Sequence, residues 1–295
     1  MIEPVSEKSA IAKADQYLRQ GGKLGARRGY GIGHELVGGG TIGHRIDRGV
    51  LTTSIEMNHI AVILYAVPVE RVRQLVPADI TPETTIFEGM EMAWISVLSW
   101  QDRRAGGIEH TSYRLHVVNE GRASFLVLGL SLGSLSAVGA SNLWQMPWHL
   151  SAMELQAAYD HHLGRYRSYR LHTQSQWDNA RWELSDQGEA IEADHLTEKG
   201  LPSTILANRV QLLYRRTDNT PGRTEINYGD WMLTRGGVIA ARSEYLERSG
   251  LLTREELSRP ALVGLQLQSG ASLSSWTIER RIKSLIPATR VLSHS

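Results

Sequence analysis

The sequence predicts a mostly β protein of α+β class: a closed, largely antiparallel β-barrel with an internal cavity and a few short helices. Three observations carry this. Runs of β-branched and aromatic residues bounded by turn residues recur from residue 59 onward. Helical periodicity is confined to brief stretches. Strands do not alternate with helices as a doubly wound sheet requires. At 295 residues and 41% hydrophobic composition, the chain can fill a sizeable core.

Residues 1–50 read as a glycine-rich arm and 51–295 as the barrel domain. Val5, Ala10, Ile11, Ala14 and Leu18 have roughly helical spacing, so a short amphipathic helix is expected over 5–20. The stretch "GIGHELVGGG" has neither the GxGxxG spacing nor the GK[ST] ending of a phosphate-binding loop, and it reads as a mobile arm or irregular hairpin. "HIAVILYAV" then makes a buried strand, and "PVERVRQLVP" a two-turn helix bracketed by Pro68 and Pro77. Strands follow at "TTIFEG", "MEMAWISVLSW", "TSYRLHVV" and "RASFLVLGLSL", and the last feeds a short helix. Beyond residue 164, "GRYRSYRLHTQ", "NARWELS", "EAIEAD", "NRVQLLYRR", "RTEINYG" and "ALVGLQLQ" continue the β texture. "TREE" from Thr253 has capping-box spacing, and Ser275 is placed to cap a final helix striped by Trp276, Ile278, Ile282 and Ile286.

Composition excludes several functions. A net charge of +1, from 32 basic and 31 acidic residues, gives no field for nucleic acid or an anionic membrane, so a small-molecule partner is expected. There is no cysteine, hence no disulfide, thiolate nucleophile or cysteine-based zinc site. The N-terminus lacks the apolar core of a signal peptide, and no stretch reaches the ~18 apolar residues of a spanning helix, so a cytoplasmic location is expected. A homo-oligomer is left open. His161-His162 would point to opposite faces of a strand, and neither HxH nor HExxH occurs, so no metal or other cofactor is expected. Gly129, Ser131 and Gly133 match the G-x-S-x-G of a hydrolase elbow, but an antiparallel scaffold lacks its strand-to-helix context, and Ser131 reads as a strand residue. The arginines of "GRYRSYR" read as an outward barrel face.

The turn "SNLWQMPWHL" crowds Trp144, Met146, Pro147, Trp148 and His149 together, and Pro147 would aim Trp148 and His149 into a cavity. Together with a strand ending in Tyr65, the helix "VERVRQLVP" and "AVGASNLWQMPWH", its order resembles the acetoacetate decarboxylase superfamily over roughly residues 57–268, in an uncharacterised bacterial branch. The resemblance implies a barrel with a cone-shaped cavity. In that family Pro-Lys-Lys occupies the turn, and its first lysine forms a Schiff base. Here those positions hold Trp148 and His149, and no lysine lies between Lys23 and Lys199. The family's cavity arginine falls on Asn58, counted back from Tyr65. Its cavity glutamate falls near Glu109, with His110 and Thr111 as neighbouring alternatives.

The resulting expectation is a lysine-independent acid/base enzyme, an isomerase, cyclase or lyase of secondary metabolism, that is not an acetoacetate decarboxylase. It would act on a small to medium, mainly apolar carbonyl compound. His149 and Glu109 would exchange protons, while Trp148, Trp144, Met146, Asn58 and His110 would bind substrate. The competing expectation is a non-catalytic binding protein for a small apolar ligand.

Overall fold

The computed structural model describes residues 44–47, 50–103, 107–134, 146–192, 196, 199–216 and 219–275, with side chains from residue 54. The expected helices over 5–20, after residue 134 and after residue 275 therefore lie outside the described residues, as does Trp144. Among the described residues fifteen strands form one continuous sheet. In chain order they are β1 (His44–Asp47), β2 (Val50–Pro68), β3 (Thr81–Pro82), β4 (Thr84–Phe87), β5 (Met90–Asp102), β6 (Ile108–Asn119), β7 (Arg122–Leu132), β8 (Trp148–Leu150), β9 (Ala152–Asp160), β10 (Arg165–Gln174), β11 (Asn179–Ala190), β12 (Arg209–Arg215), β13 (Pro221–Tyr228), β14 (Thr234–Ser243) and β15 (Leu262–Ser275).

Seven of them close on themselves in the order β2, β5, β6, β7, β12, β13, β15. The closure is the long antiparallel pairing of β15 with β2, from Leu262↔Leu64 to Ser275↔Leu51. Every pairing in this ring is antiparallel except β7 with β12. This is the mostly β, largely antiparallel barrel that the sequence predicts. The free edge of β15 is shared: residues 271–274 pair with β13, and Leu265 and Gly264 pair with Thr234 and Arg235 of β14. From β14 the sheet runs on through β11, β10 and β9 as a second layer.

That layer explains why "HIAVILYAV" is apolar without alternation. One face of β2 packs Val62 and Leu64 into the ring interior with Leu98, Phe125, Leu212 and Ile226. The other packs Ala61, Ile63 and Tyr65 against Tyr169, Leu171, Trp182 and Leu184 of the second layer. A strand buried on both faces reads as a continuous hydrophobic run. In β10 the alternation instead sets Tyr166, Tyr169 and Leu171 against this core and turns Arg165, Arg167 and Arg170 outward.

Among the described residues three short α-helices decorate the sheet, α1 (Val69–Arg73), α2 (Glu244–Arg248) and α3 (Arg254–Leu257), with a 3-10 turn at Ser203–Leu206. α1 is shorter than expected, since Pro77 disfavours helical geometry in the residue before it and Gln74 already forms the C-cap. α3 carries the expected capping box, Thr253 with Glu256.

Ser275 ends β15 in register with Leu51, and the helix it is expected to cap lies outside the described residues. Two sequence expectations are corrected. His161 and His162 sit in a turn, where the Asp160 carboxylate accepts from the backbone N–H of His162 (2.9 Å) and Leu163 (3.2 Å). Among the described residues of "EAIEAD", Glu189 and Ala190 are in a strand and Ile191 and Glu192 are not. β1 pairs with the start of β2 in a hairpin at the junction of the expected arm and barrel. Among the described residues, no helix is long and apolar enough to cross a membrane.

Candidate functional site

β6 positions the site. Strand alternation sends His110, Ser112, Arg114 and His116 to one face and Glu109, Tyr113 and Leu115 to the other. Tyr113 and Leu115 belong to the core between the layers. The first set therefore points into the ring, where residues are mostly apolar.

At one level, His110 stacks on Trp100 (ring centroids 4.7 Å, 12° between planes) and meets Trp148 edge-on at 5.9 Å. Met146 is buried beside them in the same interior cluster. Burial pushes the His110 imidazole down to a pKa of about 3, so it is neutral at physiological pH. His110 Nδ1 and the indole nitrogens of Trp100 and Trp148 are buried without hydrogen-bond partners.

At the next level, Arg114 is 3% exposed. Its Nε donates to Ser112 Oγ (2.8 Å) and its Nη1 to the Tyr228 hydroxyl. The guanidinium lies 5.4 Å from the Phe125 ring centroid and 5.8 Å from that of Tyr228. It lines a cavity with about 280 Å³ of empty space counted out to solvent, whose walls include Val62, Ser96, Leu98, Phe125, Thr204, Tyr228 and Trp231.

Beside that cavity, His116 Nδ1 lies 2.7 Å from Thr204 Oγ1, and the Thr204 hydroxyl donates to Glu83 Oε2 at 2.6 Å. Thr204 has one hydroxyl proton, and it is donated in the bond to Glu83. The Thr204 oxygen must therefore accept from His116 Nδ1–H, which leaves Nε2 with its lone pair. Nε2 is buried and has no hydrogen-bond partner. Burial lowers the His116 pKa, outweighing the opposing pull of Glu83. The ring also meets Phe125 edge-on at 4.7 Å.

The candidates named from the sequence are divided by the same alternation. β8 runs parallel to β7 with Leu130 beside Trp148 and Ser131 beside His149. Adjacent strand residues face opposite ways, so the turn cannot aim both into the cavity. Trp148 packs into the interior cluster, whereas His149 stacks on Trp177, which packs against the core between the layers. Glu109, Gln101 and Asn58 form one row across β6, β5 and β2, and cross-strand partners share a face, so all three point away from the interior. Gln101 Nε2 donates to Glu109 Oε1 at 3.4 Å. His110, Trp148 and Met146 are thus brought together inside the ring, and His149, Glu109 and Asn58 lie outside it. Ser131 is a buried residue of β7. Among the described residues no group of three or more His, Asp or Glu is placed to hold a metal ion.

Arg114, His116, Thr204, Glu83 and Tyr228 escaped the sequence reading. The signal was present in "HTSYRLH", whose polar residues recur at period two, but a polar stripe on a strand ordinarily faces water.

Fold and site together define a β-ring protein with a buried polar row inside an apolar interior. The chain belongs to the DUF2071 family (uncharacterized conserved protein), whose model matches residues 54–265. It is similar to three solved structures, each covering most of the chain. The acetoacetate decarboxylase from Legionella pneumophila subsp. pneumophila str. Philadelphia 1 is 11% identical over 85% of this chain and 96% of that one (TM-score 0.46). The enduracididine biosynthesis enzyme MppR complexed with pyruvate is 12% identical over 76% and 88% (TM-score 0.45). An acetoacetate decarboxylase-like enzyme from Sphingomonas wittichii RW1 is 12% identical over 78% and 92% (TM-score 0.45). No curated protein sequence matches the chain. Two of the three are named for the acetoacetate decarboxylases that the sequence resembles. The likeness is one of fold, and the reading of the site rests on this chain's own side chains.

Proposed function

We propose that the protein is a lysine-independent acid/base enzyme that moves a proton at a carbon next to a carbonyl group, inside the strand ring. The observation that carries this reading is the chain from His116 through Thr204 to Glu83, with Nε2 left as a free base. Thr204 and Phe125 line the cavity and both touch His116. In the proposed step, Nε2 takes the proton from the carbon. The imidazolium that forms is held through Nδ1–H by the Thr204 oxygen, whose own O–H is donated to Glu83, so the positive charge faces a carboxylate two hydrogen bonds away. The Tyr228 hydroxyl accepts from Arg114 and keeps its own proton to donate to the oxygen that gains charge. Return of the proton to a different carbon gives isomerisation, and loss of a group gives elimination.

The test is deuterium exchange from D₂O into small ketones and 2-oxo acids, followed by proton NMR. Wild type should exchange at least one of them. His116→Gln, which keeps a hydrogen-bonding side chain but no titratable base, should lower the rate by about 10²–10⁴-fold. Because burial pulls the His116 pKa below 6.5, the rate should stay level from neutral pH to below that value and fall only under it. Exchange no faster than without protein, across the whole panel, would favour a binding protein.

A further inference from the structure

The sheet ends in a strand whose far side no other strand among the described residues pairs. β9 is bonded to β10 along one edge, and the path of strands stops there. In an antiparallel ladder alternate residues turn their N–H and C=O away from the neighbour. The other edge of β9 therefore offers a row of free backbone donors and acceptors over nine residues, about 30 Å. Exposed edges are ordinarily kept short or guarded by lysine, proline or a bulge. β1, at the opposite end of the path, has four residues. β9 holds no lysine, arginine or proline, and the bulge in its pairing with β10 lies on β10.

The side chains of β9 are only half covered. Met153, Leu155, Ala157 and Tyr159 pack against the core between the layers yet stay partly exposed. On the same face further in, Tyr169 and Leu171 of β10 and Trp182 and Leu184 of β11 are buried. A strand laid against the free edge would cover this apolar row. The outward row is Ala152, Glu154, Gln156 and Ala158, all exposed. Its one charged residue, Glu154, accepts from Gln156 Nε2 at 2.6 Å. Asp160, at the end of the strand, is buried and paired with Arg167 at 2.6 Å.

We propose that two copies of this chain join antiparallel along β9, with the two-fold axis at Gln156, so that their second layers form one continuous sheet. The strand is its own complement in that register, which overlaps the whole of Ala152–Asp160. On the outward row Ala152 faces the partner's Asp160, Glu154 faces the partner's Ala158, and Gln156 faces its own copy, so no like charges meet. On the inner row Leu155 faces the partner's Ala157, and the Met153 thioether meets the ring of the partner's Tyr159. Each Gln156 amide keeps its carbonyl and one N–H after the bond to Glu154, enough for two reciprocal hydrogen bonds across the axis. A closed two-fold pair is also the commonest symmetry of soluble oligomers. The dimer uses no residue of the ring interior and is independent of the proton transfer there.

The test exploits a chain without cysteine. Facing residues of an antiparallel pair have Cα atoms about 4.5–5.5 Å apart, within the reach of a disulfide. Gln156→Cys in the full-length chain should therefore cross-link to its own copy under mild oxidation. Ala158→Cys alone should not, because its copy lies about 13 Å further along the strand. Mixed with Glu154→Cys, it should. Sedimentation of the wild type should show a dimer. Gln156→Lys sets two like charges face to face on an exposed row, so it should raise the dissociation constant about tenfold or more while the chain keeps its cooperative melt. Hydrogen exchange at alternate amides of β9 should slow as protein concentration rises. A wild type that stays monomeric, or a dimer that neither loosens in Gln156→Lys nor cross-links in Gln156→Cys, would overturn the proposal. So would β9 amides fully protected in the dilute monomer, which would show an edge covered within one chain. Equal cross-linking of the three single variants would overturn the register and with it the axis at Gln156.

Discussion

The imidazole of His149 lies flat on the indole of Trp177, with ring centroids 4.5 Å apart and 5° between planes. Trp177 is held further by Tyr245 at 4.5 Å and Tyr113 at 5.2 Å. His149 is therefore part of the seal over the outer face of β7. His149→Ala should lower the melting temperature, at a cost of about 1 kcal/mol for the lost aromatic pair. Deuterium exchange measured on the folded variant should stay at the wild-type rate. An unchanged melt with abolished exchange would return the proton-transfer role to His149.

The same indole explains one glycine of "GLSLG". A methyl group on Gly129 would sit 2.1 Å from a ring carbon of Trp177. Gly129→Ala must push the indole off the strand, and a cost of about 1–3 kcal/mol follows from such overpacking. Combining it with Trp177→Leu should show strong non-additivity in urea unfolding, since both changes act on one contact. Additive losses would mean that the indole relaxes elsewhere.

His110 makes stability depend on acid. Its pKa is about 3 in the folded chain and near 6.5 when unfolded, so between those values the unfolded chain binds the extra proton. Stability is therefore full above pH 6.5 and falls as pH drops toward 3, by up to about 1.4 kcal/mol per pH unit from this residue. His116, also held neutral by burial, adds in the same direction. His110→Phe keeps a flat ring over Trp100 and removes the titration. Its stability should be close to wild type at pH 7 and higher than wild type at pH 4.5, as read from urea midpoints. Parallel curves for the two proteins would sink the assignment.

Asp178 ties the second layer to α2. Its carboxylate accepts from the Tyr113 hydroxyl, from Ser243 Oγ (3.2 Å) and from the Tyr245 backbone N–H (2.9 Å), at 1% exposure. Asp178→Ala strands these donors in the core and should cost at least the ~1–3 kcal/mol of one orphaned buried group. Tyr113→Phe removes one bond and leaves the others, so about 1 kcal/mol is expected. Equal losses in the two variants would show that Tyr113 alone carries the network.

Much of the scaffold is legible in local chemistry. β-branched runs announce β2, β5 and β7; Thr253 and Glu256 announce the cap of α3; and Trp148 and His149 stand where the turn of the resembled family carries its lysines. β9 and β14 are not announced. "AMELQAAYD" has alanines and acids that suit a helix as well, and it is a strand because β10 pairs with it along its whole length, with one bulge at Arg167. "TRGGVIAARS" carries two glycines that no strand pattern favours, yet Gly236 must be bare, since a Cβ there would meet the Ser185 carbonyl oxygen at 2.6 Å.

For the site the division is sharper. Alternation by itself determined that His110, Arg114 and His116 share a face of β6, and that Trp148 and His149 do not share one of β8. Which face looks into the ring was decided by tertiary structure alone. A period-two pattern names partners but not direction, and the usual guide, that polar residues face water, reverses here because the second layer buries the outer face of β6 under Trp177, Tyr169 and Tyr245. The polar stripe is left facing the ring interior, where Arg114 is held by Ser112 and Tyr228 and His116 Nε2 has no hydrogen-bond partner.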